Sequence, residues 1–289
     1  MSTPLRALLA LALGASGCTV DGIFFRPSSP TDGYDFDGLD PDLQGELTEL
    51  HPSLIGAADR REGFVETEWG AIHWVFARRE GATDAILYSH GNAAHLGRYW
   101  DRVERLHALG HHVLIYDYPG YGLSGGEVGE AGTFGAAQAA LEVLVAQPEV
   151  ERVWLYGYSL GGAPTYELAA RAERGDAPPV RGVISEAAWC SAQEVLQDGT
   201  QVGLPGHFGT RLLMDSCARV GELASSPLSM MHGTEDETIP IRHLRLLRAA
   251  ADDALEVTAH EVAGARHTDV PVVAGEAYDA WIRGFTGTP

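Results

Sequence analysis

A mainly parallel α/β sheet of eight strands, with helices on both faces, is the architecture this sequence predicts. Three observations carry that reading. Short apolar runs such as Ala85–Ser89 and Val153–Tyr158 recur along the chain, as strands buried on both faces should. Stretches with apolar residues at helical spacing separate them, the pattern of strand–helix–strand units. One apolar run ends in a glycine-flanked turn that opens directly into a helical pattern.

The elements follow in order. Residues 64–69 alternate in polarity and, after Gly70, residues 72–76 continue as a second strand, which predicts an antiparallel hairpin at one edge. The buried strand at 85–89 leads to a helix over 95–109, whose Leu96, Trp100, Val103, Leu106 and Leu109 share one face before Gly110 ends it. The cycle repeats as strand 112–117, helix 133–146, strand 153–158, helix 160–172 and strand 180–185. It resumes as strand 228–232, helix 241–251, strand 255–262 and a last helix near 272–284.

The formal net charge of the 289-residue chain is −20, and all 20 basic residues are arginine. The absence of lysine excludes a Schiff-base lysine, a Ser-Lys dyad and a P-loop lysine. So acidic a chain repels phosphate backbones, which argues against nucleic-acid partners. The histidines lack paired metal-ligand spacing and no dinucleotide fingerprint follows a first strand, so no metal or organic cofactor is expected.

The first residues read as a targeting segment. Arg6 precedes the apolar run Ala7–Ala15, which is too short to span a bilayer. Ala15-Ser16-Gly17-Cys18 then resembles the lipobox of bacterial lipoproteins, with a signal peptide over 1–17 and lipidation at Cys18; an ordinary secretory signal is the alternative. Thr19 after the cysteine implies, by analogy, the outer membrane, and a lipid anchor would be the only membrane contact. Cys190 and Cys217 remain, and either a disulfide or two buried thiols fits.

The chemistry concentrates in Gly157-Tyr158-Ser159-Leu160-Gly161-Gly162, a G-x-S-x-G pattern between strand and helix. A nucleophile on so tight a turn needs small neighbours, because side chains at Gly157 and Gly161 would strike adjacent backbone. A serine hydroxyl also needs a base oriented by an acid, and in this arrangement the chain order is Ser, acid, His. Asp236 follows strand 228–232 and is the candidate acid, with Glu235, Glu237 and Glu186 as competitors. His267 follows the last strand and is the candidate base. The backbone N–H of Leu160, and of Asn92 in the loop His90-Gly91-Asn92-Ala93, would bind the oxyanion.

The stretches 87–93, 117–126, 157–162 and 232–236, with Phe24–Pro27, resemble the α/β-hydrolase-domain family that includes eukaryotic protein depalmitoylases and bacterial lipoprotein-like hydrolases. The likeness runs over roughly residues 22–286. It implies an α/β-hydrolase fold over 61–289 behind a tether and extension over 18–60. The roles named for Ser159, Asp236, His267, Asn92 and Leu160 follow from it too. The sequence departs from the family where Arg266 precedes His267. Residues 186–227 lack strand character and would form a short lid over a pocket for small to medium acyl esters or thioesters. Peptidase or amidase activity would use the same residues, and a non-catalytic surface lipoprotein on this fold is the alternative of another class.

Overall fold

The computed structural model describes residues 24–30, 33–43, 45–199 and 210–288. The expected signal peptide, Cys18 and the lid residues Leu204 and Phe208 lie outside them. In chain order the strands are β1 (Arg26–Pro27), β2 (Arg60–Thr67), β3 (Gly70–Ala77), β4 (Asp84–Ser89), β5 (Ala93–Ala94), β6 (His112–Tyr116), β7 (Arg152–Tyr158), β8 (Val183–Glu186), β9 (Leu228–Gly233) and β10 (Val257–Val262). The α-helices are α1 (Trp100–Ala108), α2 (Glu130–Val145), α3 (Gly162–Arg174), α4 (Ala192–Gly199), α5 (Ser216–Val220), α6 (Arg242–Ala250), α7 (Val270–Ala274) and α8 (Glu276–Thr286).

Eight strands form one sheet in the order β10-β9-β8-β7-β4-β6-β3-β2. The β2–β3 and β3–β6 pairs are antiparallel and the other pairs parallel, so the hairpin forms the antiparallel edge. Successive side chains on a strand point to opposite faces, so each buried strand feeds two cores. Leu87, Leu114 and Leu155 pack with Leu141, Leu144 and Leu168 of α2 and α3. Ile86, Ile115 and Tyr156 pack with Val103, Leu106 and Ile282 of α1 and α8.

Among the boundaries that differ from the sequence expectation are three in the second half of the chain. β8 begins at Val183, although Arg181 N–H donates to Val153 O at 2.8 Å and Gly182 O accepts from Leu155 N–H at 3.0 Å just ahead of it. β10 begins at Val257, because Leu255 closes a turn onto Asp252 instead of joining the sheet. The terminal helix is divided at Gly275, whose φ of 55° breaks it into α7 and α8.

The segment read as a lid contains α4 and α5, joined through a Cys190–Cys217 disulfide across a separation of 27 residues. Closing a loop of that length stabilises a fold by about 3–4 kcal/mol in the chain-entropy model. The irregular N-terminal extension packs on the domain: Phe24 and Phe25 are buried, and β1 pairs in parallel with β5 beside the main sheet.

Candidate active site

The parallel strands deliver their following loops to one edge of the sheet. Ser159 sits where β7 gives way to a 3-10 turn and then α3, with a φ of 53°. That left-handed conformation is costly for a serine and is held only because the neighbours leave no other course. A Cβ on Gly157 would meet Thr165 Oγ1 at 2.6 Å, and one on Gly161 would collide with the Ser89 carbonyl. The glycines therefore permit the close approach of α3 to β4 that presents Ser159.

Asp236 follows β9 and His267 follows β10. Their side chains meet: His267 Nδ1 lies 2.7 Å from Asp236 Oδ2, and His267 Nε2 lies 2.9 Å from Ser159 Oγ. With Nδ1–H donating to the carboxylate, the Nε2 lone pair faces the serine hydroxyl. Asp236 is completed by donors from its own turn, the N–H groups of Thr238 and Ile239 at 2.8 Å each, and His232 Nε2 stands 3.2 Å from Oδ2. Burial opposes ionisation of Asp236, but the hydrogen bonds from His232 and His267 outweigh it and hold the carboxyl well below its ordinary range. Arg266, the departure in the base loop, is exposed and turns the chain toward His267 by donating its N–H to Asp269 Oδ1 at 2.6 Å.

The loop after β4 faces this group. Tyr118 donates to His90 O at 2.6 Å, and the Tyr99 hydroxyl bonds both the N–H and the carbonyl of Ala93. Behind it, buried Asp117 accepts from Leu96 N–H at 2.8 Å and Tyr34 Oη at 2.9 Å. Burial opposes its ionisation as well, and His73 and His90 overcome it and keep the carboxyl below its usual range. Leu160 opens the helical turn, where backbone N–H groups have no intrahelical acceptor. Ser159, His267, Asn92 and Tyr158 border a cavity of about 460 Å³ whose apolar wall includes Phe24, Trp189, Leu196 and Ile239.

The competing acids lie elsewhere in the arrangement. Glu235 and Glu237 are exposed, Glu237 at the cavity. Glu186 is fully buried but paired with Arg102 at 3.0 Å. His260 stacks on Trp281, with ring centroids 4.0 Å apart. Among the described residues, no group of three or more His, Cys, Asp or Glu side chains could hold a metal ion.

Arg102 is the residue that sequence reasoning passed over. Its guanidinium is fully buried, bonds Glu186 and Glu46, and donates to Thr268 O at 2.9 Å, one residue past His267. It also lies 4.1 Å above the ring of Tyr158, whose hydroxyl donates to His267 O at 3.3 Å. The base loop is thus braced at two carbonyls, Thr268 O by Arg102 and His267 O by Tyr158.

Residues 81–205 match the family described as serine aminopeptidase, S33. The fold, the nucleophile turn and this match agree. The chain has the α/β-hydrolase fold.

Among its curated relatives is the uncharacterized protein YfhR of Escherichia coli K12, 30% identical over 179 residues that cover 60% of this chain and 60% of YfhR. Alpha/beta hydrolase domain-containing protein 17C of Homo sapiens is 30% identical over 200 residues, covering 65% of this chain and 54% of that protein. The chain thus spans little more than half the length of these relatives. Of solved structures, the Pyrococcus furiosus esterase Pf2001 superposes with a TM-score of 0.69 at 14% identity, over 91% of this chain and 97% of the esterase. Est1E of Butyrivibrio proteoclasticus gives 0.60 at 14% identity, over 78% and 99%. At such identities the structural likeness speaks for the fold alone.

Proposed function

We propose that this chain is a serine hydrolase that cleaves carboxylic ester or thioester bonds through an acyl-enzyme. The observation that carries the reading is the continuous contact from Asp236 through His267 to Ser159 beside an apolar-walled cavity. In the first half-reaction Ser159 Oγ attacks the acyl carbon as His267 Nε2 takes its proton, and Asp236 stabilises the imidazolium. The Asn92 and Leu160 N–H groups receive the oxyanion. The C–O or C–S bond then breaks, and the leaving alcohol or thiol carries away the proton from Nε2. Water repeats the sequence: His267 deprotonates it, the acid departs, and Ser159 recovers its proton.

Turnover of nitrophenyl esters of increasing chain length, with acyl thioesters and an aminoacyl nitroanilide in parallel, tests the reading. Ser159→Ala should abolish ester turnover and fluorophosphonate labelling without changing the melting temperature. Unchanged turnover in that variant refutes it, and preference for the nitroanilide would make the chain a peptidase. The leader sequence supports a further part of the proposal, export with a lipid anchor at Cys18. Metabolic labelling with an alkyne fatty acid should then be lost in Cys18→Ala.

A further inference from the structure

Residues Phe24–Ser28 lie outside the main sheet and outside the Ser159–His267–Asp236 contacts, yet their main chain is bonded to the 92–94 loop, which borders the same cavity as Ser159, and to Gly122. Arg26 and Pro27 pair with Ala93 and Ala94, Ser28 N–H donates to Ala94 O at 3.1 Å, and Gly122 N–H donates to Ser28 O at 2.9 Å. Arg26 N–H reaches two acceptors, Asn92 Oδ1 at 2.8 Å and Tyr121 Oη at 3.0 Å. Tyr121 passes its own hydrogen to the same Asn92 Oδ1 at 3.0 Å.

The direction of these bonds settles the orientation of the Asn92 amide. A backbone N–H only donates, and a hydroxyl that accepts from it has its hydrogen left for the amide oxygen. Asn92 is thus tied by its side chain to the extension while its backbone stays in the loop after β4. Two residues on, Ala94 has a φ of 61°, a conformation an alanine rarely adopts. Such a backbone persists only where its surroundings hold it, and the extension is paired with that residue.

We propose that Phe24–Ser28 is a positioning element of the active site: by clamping the Asn92 side chain and the Ala94 backbone, it aims the Asn92 N–H at the oxyanion. The inference rests on the oxyanion role given to Asn92 above. Half of the oxyanion hole is then set from outside the hydrolase sheet, by the stretch of chain that precedes it. Phe24, buried and edge-on to Trp189 at 6.2 Å, anchors the end of the clamp to the cavity wall.

Arg26→Pro tests this most sharply, because proline keeps an extended backbone but removes the N–H. Tyr121→Phe removes the second donor, and with it one of the two acceptors of the Arg26 N–H, but leaves the pairing of Arg26 and Pro27 with Ala93 and Ala94 and the Arg26–Asn92 bond in place, so it serves even if the proline variant folds poorly. With a short nitrophenyl ester, Arg26→Pro should lower kcat tenfold to a hundredfold and Tyr121→Phe threefold to tenfold. KM should stay within threefold of its starting value. A misaimed donor weakens transition-state binding and leaves ground-state binding alone.

The pair Arg26→Pro with Asn92→Ala should be no slower than Asn92→Ala alone, since the clamp acts through that amide. A folded Arg26→Pro protein with kcat within twofold of the starting enzyme, or losses that multiply in the double variant, would overturn the proposal. Should Ser159→Ala itself retain turnover, the hydrolase reading falls first. A dead Ser159→Ala beside a fully active Arg26→Pro removes only the clamp.

Discussion

Two buried carboxylates, Glu186 and Asp236, end neighbouring strands of the sheet and have been given opposite work. Glu186 closes β8 with one oxygen on Arg102 at 3.0 Å and the other accepting from Tyr156, which in turn meets Tyr278 at 2.8 Å. Asp236 follows β9 and faces His267 at 2.7 Å. A guanidinium does not release its proton in a protein, whereas an imidazole exchanges one near neutrality. Burial opposes the charge on Arg102, but Glu186 and its other anionic neighbours outweigh that and hold its proton still more tightly. Burial and position at the sheet edge are thus shared by both acids. On the proposed reading, the partner decides which of them supports proton transfer by His267 and which braces the loops.

The comparison breaks most readily at Asp236. Asp236→Asn should lower kcat by about 10³–10⁴, because the amide no longer stabilises the imidazolium or fixes its tautomer. Steady-state hydrolysis of a short nitrophenyl ester measures it, and a loss below tenfold would place the working acid elsewhere. Next comes Arg102→Met, which strands Glu186 in the interior and leaves Glu46 with Arg98. Breaking one side of a buried ion pair costs about 3–5 kcal/mol. Urea unfolding should show that loss, and Arg102→Met combined with Glu186→Leu should recover much of it. Glu186→Gln should reduce kcat less than tenfold while lowering the melting temperature, the reverse of the Asp236 signature.

A pH series sharpens the contrast further. The folded Asp236 carboxyl titrates below its unfolded value of about 3.9, so its stabilising contribution is fully present above that pH and is lost as pH falls through the folded value. The stability gap between the starting protein and Asp236→Asn, from urea melts, should stay level above about pH 5 and narrow below about pH 4. A gap that widens on acidification would contradict the direction of the shift.

Much of this site could be read from the chain because its parts are local. The apolar run of β7, the glycines flanking Ser159 and the helical pattern of α3 are contiguous, and each answers a steric need visible in the sequence. The choice between Glu186 and Asp236 could not be read as firmly, since both are acids beside a strand end and only their partners separate them. Arg102 was illegible for a different reason. Within Asp101-Arg102-Val103-Glu104 it resembles a solvated charge on an amphipathic helix, and its partners lie 56, 84 and 166 residues away. The extension hid likewise, because a two-residue strand leaves no periodicity and its bonds run to Asn92 and Tyr121, 66 and 95 residues on. The Cys190–Cys217 pairing required the cap to be folded before it was visible.

The central claim is that Ser159 carries the acyl group between two half-reactions. Rapid quenching of a slowly hydrolysed nitrophenyl ester, followed by peptide mass spectrometry, tests it directly. The account predicts a burst of nitrophenol and one acyl adduct, on the peptide that contains Ser159. Steady turnover with no adduct on that peptide, or an adduct on another residue, would contradict it.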